Sequence, residues 1–221
     1  MRVTSAVAEQ IGQPERLRGT IAWPTLLIAI VLVGVGLGMM IDANFGVAPV
    51  DAFFTAVSRS SGLSVGVVLA MLSVLMVLMA WALGARPALG TLVSFLGIGL
   101  FVDITRYASA GIGVPEWSLI ALIAWWTMGL LIFCVGVAGI FSADRGVSPY
   151  DLVTRAVSER TGRSLGIARL IVDAIVLMGA IVLGGSWGAG TVVILVAVPV
   201  TLNVLLPRLR AHLLRLDHAT R

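Results

Sequence analysis

The hexads Gly46-Val47-Ala48-Pro49-Val50-Asp51 and Gly146-Val147-Ser148-Pro149-Tyr150-Asp151 stand one hundred residues apart in a chain of 221. The agreement runs well past them. Without a gap, residues 46–66 match residues 146–166 at ten of 21 positions, the later ones including Gly62, Ser64 and Gly66. The register also pairs Val35-Gly36 with Val135-Gly136, Leu83-Gly84 with Leu183-Gly184, and Gly90-Thr91 with Gly190-Thr191. Self-similarity at one fixed offset is the signature of a duplicated structural unit. The chain must therefore fold as two related halves.

What each half contains follows from its apolar runs. Six segments are apolar enough to cross a bilayer: 21–41, 65–84, 89–106, 117–141, 165–184 and 189–206. Charged residues make up 12% of the chain and its mean hydropathy is +1.06, against about 25% charge in a soluble domain. Between the first and second runs, and again between the fourth and fifth, lies a shorter piece, 49–61 and 149–161. As helix each reaches only about 18 Å, too short for a core of about 30 Å, so each is a half-helix. The expected fold is an all-α polytopic membrane protein with six transmembrane helices and two half-helices. It divides into a segment 1–20, repeat 1 over 21–110, repeat 2 over 117–206 and a basic tail over 207–221.

Three spans per unit is an odd number, so the second unit must enter the bilayer from the opposite face. The halves are expected to be inverted about a pseudo-two-fold axis in the membrane plane. Charge gives a separate indication. With both termini in the cytoplasm, 13 of the 15 basic residues, all of them arginines, face inward, and only Arg59 and Arg106 face outward, as the positive-inside rule demands. This places the chain in the bacterial cytoplasmic (inner) membrane with cytoplasmic termini.

Proline is tolerated in the first turn of a helix, where its missing N–H has no intrahelical partner to lose. Pro49 and Pro149 are thus read as the starts of the half-helices, Ser148 as an N-cap, and Asp51 and Asp151 as capping acids. Gly46 and Gly146 permit the turn out of the preceding span; Gly62 and Gly162 suit left-handed C-caps. Helix breaks at matching places in two halves also point to a solute site. Acids within or beside spans extend the list of candidates for substrate binding or ion coupling. These are Asp103, its repeat mate Asn203, and Asp173. The simpler reading pairs Asp103 with Arg106 and Asp173 with Arg169 along their own helices. Gly34 and Gly38 form a small-residue stripe for close helix packing. Cys134 is read as a small core residue.

The pattern excludes other classes. His212 and His218 both lie in the tail, leaving no histidine metal site in the membrane, and no nucleophile or nucleotide motif is present. The expectation is no enzyme, no cofactor and no nucleic-acid partner. The partners are the lipid bilayer and a small solute, and the size is compatible with a homodimer.

Taken together, Gly46 to Asp51, Gly62-Leu63-Ser64-Val65-Gly66, Gly90-Thr91, and Asp103 after Gly97 and Gly99 resemble the YczE/YyaS/YitT family of bacterial membrane proteins. The likeness covers about residues 25–206 and is nearer the YczE branch, since YitT-like members carry an additional soluble C-terminal domain. It implies a bacterial cytoplasmic-membrane protein described as a candidate transporter, with no substrate attached. The reading that follows is a small-solute secondary transporter or permease with a midplane site between inverted repeats. The alternative is a non-transporting accessory protein that supports a biosynthetic or signalling complex, with the basic tail docking lipid or a partner.

Overall fold

A computed structural model describes residues 17, 19–82, 84, 88–146, 148–163 and 165–219. Among them every regular element is helical. The chain runs through α1 (Gly19–Ala43), α2 (Pro49–Ser61), α3 (Val65–Ala82), α4 (Leu89–Gly111), a 3₁₀ turn (Val114–Glu116), α5 (Leu119–Ala143), α6 (Pro149–Thr161), α7 (Leu165–Val182) and α8 (Ala189–Ala219). Helices α1, α3, α4, α5 and α8 are long and apolar enough to cross a membrane. Helix α7, on the fifth predicted span, has 18 residues like α3. The half-helices fall where expected, α2 and α6 each having 13 residues. Two ends lie well beyond their predicted places, α4 reaching Gly111 and not 106, and the larger difference is at the end of α8. The span predicted to end at 206 continues unbroken as a 31-residue helix through the basic tail, with Pro199 and Pro207 inside it. At about 1.5 Å per residue it is longer than a hydrocarbon core is thick.

The broadest helix–helix contact joins α1 to α5, and its residues explain how. A side-chain carbon built on Gly36 would lie 2.5 Å from the Gly129 carbonyl oxygen and 2.6 Å from the Phe133 nitrogen. One on Gly136 would lie 2.7 Å from the Val33 nitrogen and 2.9 Å from the Ala29 oxygen. Only hydrogen fits at either place, so the two backbones meet directly. As α1 advances from Ala29 to Met39, its partners on α5 retreat from Gly139 to Gly129; the helices are antiparallel. On another face of α1, Gly34 meets Phe101 and Gly38 meets Thr105 of α4, which is the expected use of the small-residue stripe. In lipid, where apolar burial does not separate protein from solvent, such backbone approach is a main source of helix association.

The half-helices cross over. Helix α2 packs on α7, and α6 packs on α3. Around this framework Leu37, Met40, Val47, Val68, Val102, Trp126 and Cys134 form a buried core. Large apolar side chains such as Leu75, Leu96, Leu131, Leu170 and Val196 remain exposed along the bundle. So extensive an apolar exterior is a poor surface in water and a suitable one against acyl chains.

Candidate functional site

The repeated phrase forms a corner pinned by the other half of the chain. Gly46 has φ +118°, open to glycine at little cost, and an added Cβ would lie 2.7 Å from Thr191 Oγ1. The Trp126 indole N–H donates to the Gly46 carbonyl at 2.9 Å. Val47 N–H donates to Ser186 O at 3.1 Å, and Gly190 N–H to Phe45 O at 2.8 Å. In the second copy Gly146 sits against Thr91, 2.6 Å from its Oγ1 to an added Cβ. Pro49 opens α2 as predicted, and Gly62 closes it in the left-handed region at φ 72° with its N–H on Ser58 O.

The predicted aspartates separate into different environments. Asp51 lies in the first turn of α2, where the helix dipole favours an acid. Among the described residues it closes no capping hydrogen bond there, contrary to the capping expectation. Desolvation among the packed helices pushes its carboxyl up to about 7, opposed by the Arg169 guanidinium. Folding thus favours the protonated acid, and native stability should fall as pH rises from about 4 through 7. Asp51→Asn should flatten that decline and raise the melting midpoint at pH 8; thermal melts of both proteins across this range would show a parallel decline if burial were not the cause. The side chain of Asp151 lies outside the described residues, and Asn203 is exposed.

Asp103 does not pair with Arg106. Its Oδ2 accepts the Ser64 hydroxyl at 2.5 Å and its Oδ1 accepts the Gly66 N–H at 2.8 Å. The acid therefore caps α3 from across the α3–α4 contact, where Gly66 and Gly99 meet backbone to backbone. A helix start offers unpaired N–H groups, and these outcompete a neighbour on the same helix. Asp173 does keep its predicted partner, Arg169 Nε at 3.4 Å. It also accepts the Tyr150 hydroxyl at 2.5 Å, while the Arg169 guanidinium lies 4.3 Å from the Tyr150 ring centre. The hexad thereby supplies an unforeseen ligand, its tyrosine, to the acid of α7.

Arg106 reaches instead to the last turn of α1, where its Nε donates to Asp42 Oδ1 at 2.9 Å. Asp42 is a residue the sequence reading passed over. This ion pair borders a polar cavity of about 240 Å³ lined also by Asn44, Thr55, Ser58, Arg59 and Ser186. Arg59 donates through Nη1 to Gly184 O at 2.7 Å and through Nη2 to Ser186 Oγ at 3.0 Å. The cavity thus opens between the end of α1, the half-helix α2, the start of α3 at Val65, α4 and the α7–α8 turn. Of the predicted polar candidates, Asp51, Asp103, Asp173 and Asn203 do not line it. Asp42 is the sole acid in α1 and stands just past the apolar run, which is the signal that could have found it.

Residues 20–207 match the model of a family described as a family of unknown function (DUF6198). A Bacillus subtilis protein named "Uncharacterized membrane protein YczE" is 24% identical over 188 residues, 84% of this chain and 86% of that one. "Uncharacterized protein YyaS" of the same organism is also 24% identical, covering 85% and 93%. An uncharacterized protein of Haemophilus influenzae is 26% identical over 167 residues, covering 76% and 75%. No solved structure matches the chain. The resemblance to YczE and YyaS drawn from the motifs is thereby borne out.

Proposed function

Since the chain belongs to the DUF6198 family, with the apolar helices of a multi-pass membrane protein, we propose that it is a small-solute secondary transporter built from two inverted repeats. One observation carries the reading. Gly36 meets residues 129 and 133, and Gly136 meets residues 29 and 33. Subtracting the repeat offset of one hundred turns each set into the other. Residue i touching j, with j's place touching i's, is what a two-fold axis produces. Because α1 and α5 are antiparallel, that axis is perpendicular to them and lies in the plane of the membrane. The crossed half-helices, α2 on α7 and α6 on α3, obey the same exchange. Inverted halves with broken elements at corresponding places are the architecture of alternating access. In this reading both termini are cytoplasmic, the membrane is the bacterial inner membrane, and Asp51, Tyr150, Asp173 and Arg169 form the polar set available for coupling.

Reconstitution tests the proposal. Proteoliposomes loaded with small organic acids, cations and sugars in turn should release at least one solute faster than empty vesicles, and Asp51→Asn and Asp173→Asn should slow that release. A wild type that moves nothing, or moves it no differently from either variant, overturns the transport reading.

A further inference from the structure

We propose that the polar cavity at the end of α1 is a binding site for an oxyanion, the carboxylate or phosphate group of a small solute or a lipid headgroup. Three residues make the case. Arg59 and Arg106 are the two arginines that the charge distribution assigns to the outer face, and they are 47 positions apart in sequence. Both line this one cavity. Arg106 spends only Nε on Asp42. Among the described residues Nη1 and Nη2 have no protein partner, and the side chain is 37% exposed. This leaves its two-pronged end, the geometry that matches a carboxylate or phosphate. Arg59 is held by Gly184 O and Ser186 Oγ, so its guanidinium is fixed before a ligand arrives, which reduces the ordering cost of binding.

Asp42 sharpens the selectivity. Its side chain is only 7% exposed, and its Oδ2 is buried without a hydrogen bond of good geometry, although the Ser109 hydroxyl acts on the same carboxylate. Buried acceptors are normally satisfied, so a ligand bearing a hydroxyl or ammonium beside its acid group fits better than the acid group alone. With two arginines and one aspartate the lining still carries a net positive charge. A cavity of 240 Å³ holds roughly eight waters at about 30 Å³ each, which confines the bound part to a group of similar size.

The second repeat provides a comparison within the same chain. Its equivalents of Asp42, Arg59 and Arg106 are Ser142, Glu159 and Leu206. Its corner nevertheless forms, with Gly146 against Thr91 and α6 intact. The charged trio is therefore not a requirement of the corner, and its occurrence on one side only is what a ligand site predicts.

Equilibrium binding, read without flux, tests this independently of transport. The full chain in neutral detergent is titrated by calorimetry with lactate, inorganic phosphate and glycerol at constant ionic strength, and melted in nanodiscs with and without phosphatidylglycerol. One soluble oxyanion should bind saturably, or phosphatidylglycerol should raise the melting midpoint, and glycerol should do neither. Arg106→Gln should weaken that binding about tenfold or more, about 1.4 kcal/mol. Because it strands Asp42, the paired variant Asp42→Asn/Arg106→Gln keeps the cavity neutral and guards against misfolding; it should lose binding equally. The site is overturned if no oxyanion from either source binds, or if a folded paired variant binds as wild type does. Binding without flux would remove the transporter and leave the site.

Discussion

Gly36→Leu should sharply reduce the recovery of monodisperse protein from detergent, and what is recovered should melt well below wild type. The added side chain meets backbone, the Gly129 carbonyl at 2.5 Å and the Phe133 nitrogen at 2.6 Å, so no rotamer change can make room. Overpacking a core commonly costs about 1–3 kcal/mol, and a clash of backbone on both sides belongs at or above the top of that range. For a chain of this length about 3 kcal/mol corresponds to roughly 6–12 °C. Gly136→Leu should behave alike, since it meets Val33 and Ala29 in the reciprocal place. Gly111→Ala is the control. Nothing lies within 4 Å of an added Cβ there, so the change should be neutral or mildly stabilising through helix propensity. A Gly36→Leu protein as stable as the control would mean that α1 and α5 are not in contact.

Asp103→Ala should be the most damaging change among the acids, by about 1.5–3 kcal/mol, the usual worth of hydrogen bonds to a charged group. Two bonds are lost together, from the Ser64 hydroxyl and the Gly66 N–H. Replacement by water is hindered at Gly66, whose backbone is pressed against Gly99. Asp103→Asn keeps one acceptor and should lose about half as much. Thermal melts give the magnitude, and faster amide exchange at Gly66 locates it. If Asp103→Ala melted as wild type does, the cap would be irrelevant. If Asp103→Asn kept its stability but lost flux, Asp103 would be a coupling acid and not a cap.

Residues whose role depends on their own helix were legible in the sequence. Pro49, Pro149 and Gly62 fixed the half-helices because proline and left-handed glycine act through local backbone geometry. Gly34 and Gly38 announced a packing face because their spacing puts both on one side of α1. Asp173 was half legible: Arg169, four residues away, could be read, but Tyr150 comes from another helix. Asp103 was misread for the same reason. Spacing alone favours Arg106 at i+3, and nothing local says that the start of α3 lies within reach or that Arg106 turns to Asp42. The cavity was invisible because its lining comes from five separate parts of the chain.

The corner at Gly46 has a consequence in time. Its partners Ser186, Gly188 and Thr191 are synthesised some 140 residues after it, as 186 − 46 gives. At about 5–20 residues per second, roughly 7–30 s separate the two. Until residues 165–186 have emerged α2 has neither α7 nor the α7–α8 turn to rest on, and α3 must wait for α6, at 149–161. The first half therefore enters the membrane before the partners of its half-helix exist, held until then by the contacts of α1 and α3 with α4.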